Sequence, residues 1–346
     1  MKIAILFLFS LSVSNFIFAQ DSTMTIAFGS CSNQDKPLPI FSVIAQHHPD
    51  LFIFLGDNIY ADTYSTCKMK RKYRKLSKNK DFRLFREQTS IIATWDDHDY
   101  GQNDIGRHYT KKEQSKKIFL HFFKEPENSE RRKHAGIYTS YMYPLAGKTI
   151  QIILLDNRTF RDDLLPYDGS LIGDSTHLYD LDYSPYTTAD STLLGAEQWR
   201  WLEGELRKKA DIRIIGSSTQ FATEYNGYET WANFPYEQQR MLQLIQSTQA
   251  NGVFFISGDV HYSELSLLEN PYTYPIYDLT ASGLTEKWGF ATPNKFRLGE
   301  PIMQNHFGII SIDLKVEDPE IKLQVWDISD RLRLEGTVPL SDLLLR

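Results

Sequence analysis

Asp57, Asn58 and Tyr60 follow an unbroken apolar run, residues 51–55, with only Gly56 before the first of them. Three other apolar stretches end in comparable chemistry. Cys31 lies just beyond 25–28, Asp97 and His98 just beyond 91–94, and Asp259 with His261 just beyond 253–256. Carboxylate, imidazole, phenol and thiol mixed in this way suit two adjacent hard or borderline cations. Two metals about 3.5–4 Å apart can clamp both the attacking and the leaving oxygen of a phosphoryl group. The acids of 96–99, three around one His, repel one another unless cations compensate them. In extended chain the Asp-x-His spacing of 259–261 points both side chains the same way. Each piece also has an ordinary reading, as a turn capped by Asp, a solvated acidic bend or a structural His.

The runs that present these residues read as strands. A short, fully apolar run bounded by Gly is what a strand buried on both faces looks like. Ligands in open α/β sheets bind beyond the carboxyl ends of such strands. A helix over 39–47 joins 25–28 to 51–55 in a right-handed β-α-β unit, which sets Cys31 and Asp57 at the same ends of two strands. Further helices are expected over 111–124, 197–209 and 235–246, the last with Pro at its first turn. A hairpin turns near Gly147, and strands are expected at 212–215, 276–280, 308–315, 321–328 and 331–337. Residues 100–106 form a turn-rich loop that could close over the site. The polar stretch 162–193 is long for a loop in a compact domain, and such loops are usually functional or mobile.

Composition is that of a folded soluble protein: 346 residues, 24% charged and 41% hydrophobic. The formal net charge of -6 argues against general nucleic-acid binding. Residues 68–80 nevertheless hold eight Lys or Arg and no acid. That run reads as a solvated helix face whose field attracts anions without direct contacts. Residues 1–20 have the charged start, apolar centre and small-residue end of an export signal. Ser10, Ser12, Ser14 and Asn15 make the same stretch a poor bilayer helix, and no other span appears. The two cysteines, Cys31 and Cys67, are either one disulfide or a thiolate ligand and a bystander.

Taken together, the stretches GSC at 29–31, GDNIYAD at 56–62, TWDDHDYGQND at 94–104, LLDNRTFRDD at 154–163, QWRWLEGEL at 198–206 and SGDVH at 257–261 resemble the calcineurin-like metallophosphoesterases. Among these the sequence is similar to the alkaline phosphatase D, or PhoD-like, family. The resemblance implies an α/β sandwich of two packed mixed sheets flanked by helices, in four layers, with 21–346 as a single domain. It implies that Asp57 is shared between two metals and that Cys31, Tyr60, Asp97, Asp259 and His261 complete the ligands. A ferric ion near Cys31 and Tyr60, with calcium as its partner, belongs to the same implication. A further lone His ligand of the superfamily has no counterpart here, because the strand at 212–215 runs into GSSTQF. His98 is the implied acid or hydrogen-bond donor. Arg158 either binds a phosphate oxygen or pairs with a nearby Asp, and Asn103 is a second substrate contact. The expected protein is an exported, monomeric phosphoric-ester hydrolase that attacks with a metal-activated hydroxide. A purple-acid-phosphatase-like enzyme is the alternative within the class, although WDDH speaks against it. A non-catalytic binder of phosphorylated polymers is the alternative outside it.

Overall fold

The computed structural model describes residues 22–167 and 182–345. The expected export segment lies outside them, as do positions 168–181 of the long polar loop. Two sheets form the centre. The first has six strands: β1 (Thr23–Gly29), β2 (Leu51–Leu55), β3 (Ser90–Thr94), β13 (His306–Asp313), β14 (Glu320–Asp327) and β15 (Leu332–Pro339), in the order β15-β14-β13-β1-β2-β3. The second has seven: β4 (Thr139–Leu145), β5 (Lys148–Leu154), β8 (Ile212–Ser217), β9 (Val253–Ser257), β10 (Ser263–Leu268), β11 (Ile276–Ala281) and β12 (Arg297–Ile302), in the order β12-β10-β11-β9-β8-β5-β4. A minor pair, β6 (Leu165–Pro166) and β7 (Tyr183–Ser184), closes the base of the polar loop.

Alternation along β1 and β2 builds the layers. Ile26, Phe28, Leu51, Ile53 and Leu55 enter the core shared with the second sheet. Ala27, Phe52 and Phe54 point the other way, towards α1 (Ile40–Gln46), α2 (Thr66–Lys78), α3 (Lys80–Gln88) and α5 (Lys112–Phe122). Apolar residues of α6 (Gly195–Leu206) and α7 (Pro235–Ser247) join the core of the second sheet. The order is therefore helices, sheet, sheet, helices. β1, β2 and β3 run parallel, as the β-α-β reading requires, and β1 pairs antiparallel with β13. Among the described residues no helix is long and apolar enough to cross a membrane.

Several elements depart from the sequence expectations. The basic run forms α2 only to Lys78, because Asn79 accepts from the amides of Asp81 and Phe82 and starts α3. β10 and β12 were hidden by polar residues: Glu264 of β10 is fully buried but bonded to Arg297, and most of β12 faces outward. The acidic bend after β3 is a short helix, α4 (Asp97–Tyr100), capped by Asp96 and Asp99.

Phe41 of α1 is the hub of the outer helical layer. Its ring lies 5.0 to 6.0 Å from those of Phe52, Phe54, Phe82 and Phe85. Phe41→Ala should cost about 3–5 kcal/mol, the range for removing a buried aromatic ring. Urea unfolding of the variant checks this, and a loss below about 1 kcal/mol would mean the layer closes over the gap.

Candidate metal centre

Strand pairing continues past the ends of β1 and β2. Cys31 N–H donates to the carbonyl of Gly56 and Ser32 N–H to that of Asp57, at 3.4 and 2.8 Å. The thiol of Cys31 thereby comes to 3.6 Å from Asp57 Oδ2. It also lies 3.5 Å from the backbone oxygen of Asp259, at the end of β9 in the other sheet. Gly56 has φ +105°, and a Cβ there would sit 2.4 Å from that of Asp96. Only glycine lets these two strand ends approach so closely. The ligand candidates that follow turn sharply: Cys31, Asp57 and Asp259 have φ of 61°, 49° and 72°. Left-handed backbone is tolerated by Asp but uncommon for Cys, and such residues gather at functional sites.

Three groups of ligand atoms result, each within 4.8 Å of one another: Cys31, Asp57 and His261; Asp57, Asp97 and His98; and Asp96, Asp97 and Asp259. Asp57 and Asp97 each belong to two of them. Tyr60 closes the first group, with its hydroxyl 3.2 Å from His261 Nε2. The sequence-assigned residues Cys31, Asp57, Tyr60, Asp97, His98, Asp259 and His261 are thus brought together. The two cysteines are not: both are free, Cys31 buried and Cys67 exposed.

Without cations this arrangement is electrostatically unfavourable. Burial pushes the carboxyls of Asp57 and Asp259 well above the usual range, and neighbouring acids push them further. Burial likewise raises the Cys31 thiol and the Tyr60 phenol, and it lowers His261 to about 4, which keeps that imidazole neutral. Burial alone would also lower His98. The carboxylates of Asp57, Asp97 and Asp62 outweigh it and push the imidazole up to about 11. Oδ2 of Asp96 is buried with no hydrogen-bond partner. Clustered carboxylates, a thiol, a phenol, a neutral imidazole and an orphaned oxygen together fit bound cations.

Other residues hold the ligands in place. Asp99 accepts from the amides of Asp57 and Asp96 and from Asn58 and Tyr73. Asn58 also donates to Thr94 O at 2.8 Å, so its amide nitrogen ties loops together and does not face a metal. The amide of Asp104 donates to Asp97 Oδ2 at 2.6 Å, which anchors the 100–106 turn on a candidate ligand. Asp62 takes His98 Nδ1 at 2.7 Å, and the His98 ring lies 4.2 Å from that of Tyr60. Asp62 is inside the GDNIYAD stretch, yet its role depends on a left-handed turn with no sequence marker.

The two residues read as substrate contacts lie in different surroundings. Arg158 is fully buried, and its guanidinium bonds Asp96 Oδ1 at 2.5 Å and both oxygens of Glu229 at 2.7 Å. It takes the ion-pair alternative because burial forces a cation to find carboxylates. Asn103 is exposed and its side-chain amide donates to Asp104 Oδ2 at 2.8 Å. Glu229 had no signal in its local sequence. Ser218, at the end of β8 where a lone His was absent, donates to Asp96 Oδ1 at 2.6 Å.

The description of the PhoD-like phosphatases matches residues 26–293. The chain belongs to the PhoD-like phosphatase family. Alkaline phosphatase D of Bacillus subtilis (strain 168) is 22% identical over 283 residues, which cover 71% of this chain and 47% of that protein. The chain therefore spans about half the length of this curated relative. A solved structure of PhoD superposes with a TM-score of 0.71 at 17% identity, covering 95% of this chain and 72% of the other. A dimetal phosphatase from Danio rerio gives 0.51 at 13% identity, covering 92% and 100%. GAP50, the anchor in the inner membrane complex of Plasmodium, gives 0.56 at 12% identity, covering 94% of this chain and 90% of the other. These likenesses establish the two-sheet fold of the family.

Chelation should make stability strongly pH-dependent. Raised carboxyls stabilise the folded state below their unfolded values near 4, and that contribution is lost as pH rises through the folded values. Asp96, at about 6, and Asp99, at about 7, are both raised by burial and define the window from about pH 4 to 7. The contribution of His98 is lost later, between about 6.5 and 11. Asp97 runs the other way: burial would raise it, but Arg158 and His98 hold it low, so its contribution is lost in acid. The melting temperature of chelated protein should fall steadily from pH 5 to 9, and metal-loaded protein should not follow it. Parallel curves for the two forms would show that cations do not compensate this cluster.

Proposed function

We propose that this chain hydrolyses phosphoric esters at cations held by Cys31, Asp57, Tyr60, Asp97, Asp259 and His261. The observation that carries the reading is that Asp57 and Asp97 are each shared between adjacent ligand groups. Shared carboxylates set cations side by side, and one phosphate group can then span them. Bound cations would supply Lewis acidity towards the phosphoryl oxygens and a lower pKa for water. A ferric ion at Cys31, Tyr60 and His261 with calcium at the carboxylates fits the donor types, soft and phenolic on one side and all-oxygen on the other.

His98 is the proton donor of this proposal. Asp62 holds Nδ1 and orients the ring, which leaves Nε2 to meet the leaving oxygen of the ester. Arg158 neutralises Asp96 and takes no part in substrate binding. We further propose that the protein is exported by residues 1–20 and that it acts on mono- or diesters without a nucleic-acid-binding module.

Turnover of aryl phosphate and bis-aryl phosphate by metal-loaded protein tests the reading, since bound metals without turnover would favour the binder alternative. Asp57→Ala should abolish activity and prevent stable binding of two metals. A folded variant with both metals and normal turnover excludes the shared role. His98→Ala should keep the metals and lose about 10²–10⁴ in rate, as for a lost general acid. Equal loss of metal would make His98 a ligand.

If Cys31 and Tyr60 bind ferric ion, charge transfer from thiolate and phenolate should colour the protein. Tyr60→Phe should then shift or weaken the visible band, and Cys31→Ser should change it and lower the iron content. Cys67→Ser should leave both intact. A colourless protein of full iron content counts against the assignment.

A further inference from the structure

Helix α2 carries seven Lys or Arg and no acid among its 13 residues. Its flanks are treated differently. On one side Lys72 and Lys75 pair with Asp35, and Lys68 donates to the carbonyl of Asp62. On the other side α2 and α5 enclose a groove of about 710 Å³. Lys70 and Arg74 line it from α2, four residues and so about one turn apart, and Lys117 and His121 face them from α5. Lys70, Arg74 and Lys117 are exposed, and among the described residues they form no ion pair. Glu127 at the rim is 3.6 Å from Arg132 and is matched there. Tyr73 and Phe122 form the floor, with ring centroids 4.5 Å apart.

Grouped cations without acids repel one another, and the Asp35 flank has the remedy that the groove lacks. The groove starts at Thr66. Asp62, the partner of His98, is four residues earlier, at most about 14 Å along an extended chain. From Thr66 to Ser77, the groove residues of α2 extend about 16 Å.

We infer that the groove between α2 and α5 binds a linear polyanion bearing repeated phosphate or sulfate groups, at a site separate from the metal centre. A single exposed ion pair contributes little against water and salt. One small anion is therefore not retained. A chain that meets Lys70 first presents its next anionic groups to Arg74 and Lys117 at high effective concentration, and so the contacts accumulate. The inference does not require that the protein be a hydrolase.

The test is fluorescence anisotropy with two end-labelled probes, linear inorganic polyphosphate and dextran sulfate, on the metal-loaded full chain. Both should bind, and affinity should fall about tenfold or more between 50 and 200 mM salt, as expected when several ion contacts release counterions. The triple variant Lys70→Gln/Arg74→Gln/Lys117→Gln should bind at least tenfold more weakly. It should keep the wild-type rate on a small aryl phosphate, which also reports that it is folded. The control Lys72→Gln/Lys75→Gln, on the Asp35 flank, should bind nearly as wild type does. Retention of polyphosphate but not dextran sulfate supports a site for phosphate chains, and retention of both supports the shared oxyanion chemistry. Undiminished binding by the triple variant, equal loss in the control, or displacement of the probe by orthophosphate at matched phosphate concentration would each overturn the inference. If no aryl phosphate is turned over, the hydrolase reading fails while the binding comparison still stands, with circular dichroism reporting folding.

Discussion

Mutual repulsion among buried acids is the constraint on which the rest of this structure depends. Asp57, Asp96, Asp97 and Asp99 are all buried. Asp259 comes up to the same place from the opposite sheet. An isolated carboxylate removed from water to this degree would protonate or rearrange. Two kinds of compensation are visible. Arg158 is spent on Asp96 and Glu229, within protein. His98, its imidazole pushed up to about 11 by Asp57, Asp97 and Asp62, is the second, yet the acids gathered here outnumber these two cations. The site keeps an excess of negative charge where a cation could meet it.

The fold makes that convergence affordable by spending backbone conformation in place of side-chain length. Parallel strands bring short side chains to a common edge, and left-handed turns at Cys31, Asp57 and Asp259 point them inward immediately. Gly56 admits the neighbouring strand end. Each left-handed residue costs about 1–2 kcal/mol, which the packed strands behind it must hold in place. Asp99 and Asn58 secure the same loops with hydrogen bonds, so the candidate ligand positions are fixed by groups outside the three candidate sets.

Much of this was legible in the chain, for identifiable reasons. Residues 51–55 announce a doubly buried strand by composition alone, and a polar residue directly after such a strand has few places to go but the sheet edge. Hence Cys31, Asp57, Asp97 and Asp259 could be named before their distances were known. Asp62 and Glu229 could not, since both act through turns whose geometry arises only when distant segments pack. Arg158 looked available because sequence does not report burial, and an Arg beside Asp is equally ready for substrate or for an internal pair. β10 and β12 escaped for a related reason. β10 alternates only over Glu264–Leu267 and buries its polar residues, whereas β12 lies at the sheet edge with no apolar alternation.

The centre straddles the seam between the two sheets. Cys31, Asp57 and Asp97 leave the first sheet, Asp259 and His261 leave the second, and the contact from Cys31 to Asp259 joins residues 228 positions apart. Among the described residues no disulfide fastens these halves. A cation bound across the seam would therefore act as a removable staple, closing a very long loop and opposing the separation of the sheets by mass action. Scarcity of such a cation would then deplete the folded protein itself, and the amount of this protein present would follow the supply of that cation.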